Sequence, residues 1–527
     1  MSNLLQKASI VTTPTSYENG KILSVKPVQT YGPELVTSLD FTSGWVSFQA
    51  TIINATSFSG YNNSGIYKSI LVNGNTYKMV VSGNANSTNG TAIADFPETQ
   101  NYANLANGTF SQTFYFKANG TNLFLSNNSF GTTTYNSISV KEVLNADFDF
   151  SRNSSATRVG SNGLIQDVAS NLPRIDYTGG VGSWKFEPQS TNLIPYSENF
   201  SQSAWAKEDL TVTSNQTISP DGTLNADLLL PNTNNIDHSI YETTSTTTES
   251  FTVFLKSGGY NYAFLGKNNN LASDGAFFDL ANGVVSQNTS TFSASIQDYG
   301  NGWFRCSLYG NFNTVYRIIC PSENGQSFLF AGDGSKGIYS WGAQLEVGSY
   351  PTSYIRSNTG SATTRLADVA NNAGSSDLIN STEGVLYAET KFLQNARIGI
   401  TNTDDSDEVV IGLATGLGIF YRIRENTSNP ITQFVGVSEF ENNKIALKYK
   451  STETSFFVNG FKLNTNSTSY TLNGLNELAF KSEGTNFYGN TKSLAVFKEA
   501  LTDLELECLV SWMSFSDLGI NFGYTVE

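Results

Sequence analysis

The sequence predicts an all-β protein: three antiparallel jelly-roll or lectin-like β-sandwiches in series, with one short C-terminal helix. Three observations carry this expectation. Runs of β-formers joined by Asn-Gly recur along the chain, and a type I′ turn favours those two residues because both central positions take positive φ. Helical periodicity is nearly absent until the last thirty or so residues. The composition joins a weakly charged surface to many rings, with 14% charged and 13% aromatic residues, including 35 Phe and 25 Tyr. A disordered polar chain would be poor in aromatics. At about 150 residues per domain, 527 residues allow three to four domains.

The elements follow in order. Residues 1–32 form an N-terminal segment with a turn at Asn19-Gly20. Residues 33–145 read as the first sandwich, with hairpins expected around Asn73-Gly74 and between Phe114-Tyr115-Phe116 and Leu123-Phe124-Leu125 through Asn119-Gly120. Residues 146–190 form a connector turning at Gly179-Gly180, and 191–357 a second sandwich with a hairpin through Asn282-Gly283. Residues 358–383 read as a linker. Residues 384–527 form the third sandwich, with a hairpin through Asn459-Gly460, a helix over about 501–513 and an exposed tail. The helix rests on the capping box Thr502-Asp503-Leu504-Glu505 and on Leu501, Leu504, Cys508 and Trp512 at helical spacing.

An internal repeat relates the first two sandwiches. Phe41-Thr42-Ser43-Gly44-Trp45 opens one and Phe200-Ser201-Gln202-Ser203-Ala204-Trp205 the other. Ser139-Val140-Lys141-Glu142-Val143 and Ala343-Gln344-Leu345-Glu346-Val347 close them. An Arg follows ten residues after each Glu (Arg152, Arg356), and Ser155-Ala156-Thr157-Arg158 then matches Ser361-Ala362-Thr363-Thr364-Arg365.

Charge and composition exclude several classes. With 30 basic and 45 acidic residues, the net charge of −15 opposes nucleic-acid binding, which needs a basic footprint. No apolar run approaches the ~18 residues of a membrane span, and the start lacks the pattern of a secretory signal. One His and three Cys leave little for metal or thiol chemistry, and no cofactor is expected. Cys306 and Cys320 flank a turn-like Gly310-Asn311-Phe312-Asn313-Thr314, so neighbouring strands could let them pair; the plainer reading is two small buried apolar residues.

Candidate chemistry is sparse. Asp147 and Asp149 alternate along one strand, a pattern that also fits a half-buried strand with a wet face, and the Glu-x-Asp of sandwich glucanases is absent. Glu505 and Glu507 read as solvated or capping. His238 reads as a solvated loop residue with no nucleophile elbow nearby. Asp404, Asp405 and Asp407 are the weak metal candidates, since clustered carboxylates suit calcium; the alternative is a solvated hairpin tip. Trp45, Trp205, Trp303 and Trp341 offer ring faces for sugars but sit at strand-like, repeat-matched positions that fit a core better.

Several stretches together resemble a family of tailed-bacteriophage virion proteins. They are Lys7-Ala8-Ser9-Ile10-Val11-Thr12-Thr13-Pro14, then Glu18 to Pro27, Phe148-Asp149-Phe150-Ser151-Arg152-Asn153-Ser154-Ser155-Ala156-Thr157-Arg158-Val159, Phe186 to Leu193, and Tyr339-Ser340-Trp341-Gly342-Ala343-Gln344-Leu345-Glu346. Ser455 to Leu463 and Phe487 to Asp503 are similar to laminin-G and concanavalin-like lectin domains. The sandwich at 33–145 departs from the pattern, being inserted where near-continuity is expected. The resemblance implies a non-enzymatic fibre or appendage on the virion surface, made in the host cytoplasm. It implies anchoring to other virion proteins through the N-terminal segment, homo-oligomers (trimers being common in such appendages), and weak multivalent contact with host-surface polysaccharide. A purely structural decoration or connector protein and a polysaccharide depolymerase are the alternatives.

Overall fold

Strands of this protein either alternate, inward apolar and outward polar, as Thr76–Ser87 does, or are buried along most of their length, as Gly275–Asp279 and Asn443–Lys450 are. The computed structural model describes residues 2–27, 30–73, 75–96, 100–243, 249–267, 275–288, 292–310, 316–327, 329–436 and 442–512. The expected C-terminal tail therefore lies outside the described residues. Lys26–Ala146 form one compact unit, and Met1–Val25 with Asp147–Glu527 form the other. The described chain is nearly all antiparallel strand. Among the described residues no helix is long and apolar enough to cross a membrane.

In the unit Lys26–Ala146, Thr76–Ser87 shows the alternation plainly: Tyr77, Met79 and Val81 are buried and Val80 is exposed. A continuous sheet runs Gly108–Lys117, Thr76–Ser87, Gly131–Leu144, Ser57–Ser69, Asn122–Asn127, Thr91–Asp95, Asn101–Leu105. Its long strands change partners along their length, so the sheet folds over a core of Phe41, Phe58, Met79, Leu125 and Tyr135. Phe41 and Phe110 meet the Tyr135 ring edge-on, and burial raises the Tyr135 phenol above its ordinary value.

Two expected hairpins are absent here. Ser57–Ser69 and Thr76–Ser87 flank Asn73-Gly74 without pairing, and Gly74 itself lies outside the described residues. Gly108–Lys117 lies at the sheet edge, while Asn122–Asn127 sits between Ser57–Ser69 and Thr91–Asp95. Gly120 does not take positive φ. A turn dipeptide favours a local reversal, but crossing to the sheet centre buries Leu123 and Leu125 completely, and that burial decides the pairing.

The middle sandwich has two six-stranded sheets. One runs Ala206–Glu208, Ser239–Glu242, Tyr316–Ser322, Tyr262–Lys267, Gly275–Asp279, Val284–Asn288. The other runs Leu210–Ile218, Leu224–Pro231, Gly337–Val347, Glu249–Gly258, Phe304–Gly310, Ser293–Asp298. Trp205, Phe251, Val253, Leu265, Phe278, Leu308 and Leu345 fill the space between them. Gly275–Asp279 and Val284–Asn288 form the expected hairpin, its loop tied by the Asp279 carboxylate accepting from the Ala281 and Asn282 N–H groups. The strands carrying Cys306 and Cys320 belong to opposite sheets rather than neighbouring positions. Cys306 is a free, buried thiol whose ionisation burial disfavours, while the side chain of Cys320 and residues 311–314 lie outside the described residues.

The last sandwich draws strands from distant sequence. One sheet runs Ile175–Asp176, Ser183–Phe186, Gly489–Phe497, Glu383–Phe392, Asn443–Lys450, Glu453–Val458, Phe461–Asn466. Ile10–Thr12 also pairs with Gly489–Phe497, so the opening segment and the connector complete this sheet. Ile10, Trp184 and Phe186 are buried by it. The facing sheet runs Ser428–Val435, Gly418–Glu425, Glu408–Ala414, Ala396–Thr401, Glu477–Ala479. Val458 pairs directly with Phe461, and Asn459 and Gly460 both take positive φ, at 51° and 93°. Gly460→Ala is therefore expected to cost about 1 kcal/mol, because a Cβ is disfavoured in that conformation. Urea denaturation of the two proteins checks this.

The C-terminal helix spans Asp503–Val510, shorter than expected, and its capping box forms as Thr502 Oγ1 accepts from the Glu505 N–H while the Glu505 carboxylate accepts from the Thr502 N–H. Its buried face is Leu506, Leu509 and Val510; of the expected stripe Leu501, just before the helix, packs with them, while Leu504 and Cys508 are exposed. A second helix, Ser2–Lys7, carried no clear sequence signal.

Candidate functional site

The outward face of one sheet in the middle sandwich carries a polar patch beside a second buried cluster of Phe254, Trp303, Trp341 and Tyr354. On Glu249–Gly258 and Phe304–Gly310, the residues Phe251, Val253, Leu255, Cys306 and Leu308 point into the core. Their alternates point outward in three cross-strand rows: Gln297, Arg305 and Phe254; Ser295, Ser307 and Thr252; Ser293, Tyr309 and Ser250. The connector covers part of this face. A cavity of about 170 Å³ remains, lined from the sheet by Gln297, Tyr299, Arg305, Ser307 and Tyr309. Arg158, Asp176, Thr178 and Lys185 line it from the connector, Thr352 to Tyr354 from the loop beyond the sheet, and Asn490 from the last sandwich.

The charges around the cavity are arranged unequally. Asp176 is held by Lys185 at 3.4 Å and accepts from the N–H groups of Val159 and Thr178. Burial raises its pKa, but Lys185 and those hydrogen bonds outweigh burial and hold the carboxyl below its ordinary range. Glu187 accepts from Arg174 at 2.7 Å and lies 3.0 Å from Arg365. Burial again opposes ionisation, yet Arg365 and Arg174 keep Glu187 well below the usual carboxylate value. Both carboxylates are thus engaged by cations.

Beneath the cavity lies a closed ionic cluster. Asp368 bridges Arg152 and Arg174 and accepts from the Glu187 N–H, and all five groups, Arg365 included, are essentially buried. Asp368 and Glu187 outweigh burial to raise the Arg174 pKa. The cluster joins the connector to the segment after the middle sandwich and accounts for two arginines of the repeat, Arg152 and Arg365.

Other candidate residues lie elsewhere. Asp404, Asp405 and Asp407 fall in the loop between Ala396–Thr401 and Glu408–Ala414, where each carboxylate serves the loop itself. Asp404 accepts from Ser406, and Asp405 from Thr401 Oγ1. Asp407 is buried and accepts from the Asn426 and Asn473 N–H groups. Among the described residues no three His, Cys, Asp or Glu side chains gather in a form that would hold a metal. Asp147 accepts from the Ser24 N–H, and Asp149 from Asn372. Glu505 caps its helix and pairs with Lys7. Trp45, Trp205, Trp303 and Trp341 are all buried.

His238 overturns its expectation. It is fully buried, with Nδ1 2.7 Å from the Asp209 carbonyl and Nε2 3.0 Å from the Phe330 carbonyl. The polar Asn235-Ile236-Asp237 before it reads as loop, but those residues pair with Leu329–Ala331 and draw the imidazole under the strand. No sequence signal pointed to Arg305, since a lone Arg in a strand pattern reads as surface.

No family model matches the chain, and no curated protein sequence matches it. Solved structures show faint likeness. The CBM40 module of Ruminococcus gnavus IT-sialidase bound to alpha2,3 sialyllactose is 16% identical, over 27% of this chain and 94% of that chain, with a TM-score of 0.23. Leech intramolecular trans-sialidase is 21% identical over 25% of this chain and 23% of that chain, with a TM-score of 0.21. Trypanosoma rangeli sialidase is 10% identical over 97% of both chains, with a TM-score of 0.22. At these scores the likenesses assign neither ligand nor activity to this chain.

Proposed function

We propose that this chain is a non-enzymatic surface component of a tailed-phage particle that contacts glycans through the outward face of its middle sandwich. The observation that carries the binding half is the cavity itself. Hydroxyl, amide and guanidinium groups from Ser307, Tyr309, Gln297 and Arg305 converge there beside the Tyr299 ring. Such a mix suits a polyol with one apolar face. The carboxylates lining it, Asp176 and Glu187, are committed to cations, which favours binding over acid–base cleavage. The particle half is supported by the stretches that resemble virion proteins, Lys7 to Pro14 and Phe148 to Val159 among them.

A cavity this small gives weak single-site binding, so affinity at a cell surface would come from many copies. The test has two arms. The full-length protein, displayed multivalently on beads, is applied to a glycan array, and antibodies to it are used to label purified particles and to block adsorption. Binding to a saccharide subset, surface labelling and reduced adsorption are expected. An empty array together with unchanged adsorption removes the glycan-contacting role, and labelling with normal adsorption leaves a purely structural component. New reducing ends after incubation with host capsule would overturn the non-enzymatic assignment.

A further inference from the structure

Arg305 stands apart from the other arginines of this protein. Among the described residues, five arginines are nine-tenths or more buried: Arg152, Arg174, Arg305, Arg365 and Arg422. Four of them contact a carboxylate, from Asp368, Glu187 or Glu483. Arg305 contacts none. Its Nη2 donates to Thr252 Oγ1 at 3.0 Å, its guanidinium carbon lies 5.6 Å from the centre of the Phe254 ring, and its Nε, like those of Arg174, Arg365 and Arg422, has no hydrogen-bond partner among the described residues. A guanidinium does not deprotonate in proteins, so this is a buried positive charge that no carboxylate contacts among the described residues.

Its surroundings have the same bias. Three cations, Arg158, Lys185 and Arg305, line the cavity against two carboxylates, of which Asp176 pairs with Lys185 and Glu187 is already shared between Arg174 and Arg365. The protein as a whole carries −15. A locally cationic cavity in an acidic chain marks a place built for an anion rather than a by-product of composition.

We infer that Arg305 is the carboxylate-binding point of this cavity and that the ligand is an acidic saccharide. The inference rests on the glycan-binding reading above and narrows it to a chemical class. A carboxylate completes the charge that Arg305 lacks through charge-assisted N–H···O bonds. The sugar hydroxyls then fall to Ser307, Tyr309 and Gln297, and its apolar face to Tyr299. A compact carboxylate on a sugar ring comes from two sources, a hexuronate with the acid at C6 or an ulosonate with the acid on the anomeric carbon.

Saturation-transfer NMR on the full-length protein, with D-glucuronic acid, N-acetylneuraminic acid and D-glucose as probes, tests this in moderate salt. At least one acid is expected to bind about tenfold more tightly than glucose, with affinity falling as salt rises; which acid binds separates the two sources. Arg305→Gln is expected to lose that preference while residual glucose binding persists. Equal binding of glucose and both acids, or an acid preference unchanged in R305Q, overturns the inference and leaves the glycan reading in place. No binding of any probe, together with an empty glycan array, removes both. Should R305Q fail to fold, Arg305→Lys keeps the charge and loses the planar fork. It is expected to weaken acid binding several-fold, and an unchanged acid preference in R305K counts against the inference.

Discussion

Asp368→Ala is expected to lower folding stability by about 3–5 kcal/mol, the usual cost of breaking a buried ion pair from one side. The size follows from what Asp368 holds. Its two oxygens reach Arg152 and Arg174, and one also accepts from the Glu187 N–H. Without it, Arg174 and Arg365 share Glu187 alone, and Arg152 loses its only carboxylate among the described residues. Burial already lowers the Arg152 pKa despite Asp368, so the charged form would be left with desolvation and like-charge repulsion. The cluster ties residues up to 216 positions apart, and its loss should loosen the connector first. Urea denaturation gives the free energy, and limited proteolysis should show new cleavage between about 150 and 190. Glu383→Ala, which breaks the exposed pair with Lys450, is expected to change stability by only about 0–1 kcal/mol. Equal effects for the two substitutions would mean that the buried cluster contributes no more than a surface pair.

How much of this was legible depends on the range over which each feature is decided. The Asn459-Gly460 hairpin and the Thr502 capping box are set by neighbours within a few residues, and both were readable. Asn73-Gly74 and Asn119-Gly120 carry the same local signal but lie where core burial of Leu123 and Leu125 selects other partners. The last helix is short, and packing places Leu506, Leu509 and Val510 with Leu501 against the sheet and leaves Leu504 in solvent. The polarity around His238 concealed a short strand pair that buries it. Arg152 and Arg365 stood out through the repeat, yet nothing local shows that they converge on one acidic pair. Arg305 was invisible for a similar reason: its significance lies in the counter-charge it lacks, and that is a property of the assembled site.

Glu242→Gln is expected to stabilise the protein at pH 8 by about 2 kcal/mol, a value reduced from the full pKa shift because the group is partly exposed. Its position near the end of a strand beside the core leaves this carboxyl partly buried. In Ser239–Glu242, Ile240 lies in the core, and Glu242, two residues on and beyond an irregularity in the register with Tyr316–Ser322, is half-buried. Its Oε2 has no hydrogen-bond partner among the described residues, and burial pushes its pKa up to about 7 from an ordinary carboxyl value of 4.5. The folded protein therefore binds this proton more tightly than the unfolded chain. Its stability should be highest below about pH 4.5 as far as this group is concerned, fall as pH rises towards 7, and level off above. Gln keeps the shape and carries no charge, so the variant lacks that decline. Every other titrating group is common to both proteins, so the difference between their stabilities isolates Glu242. Urea unfolding at pH 5, 6.5 and 8 should give curves that separate progressively in favour of the variant. A constant offset across the three pH values would show instead that Glu242 ionises as readily folded as unfolded.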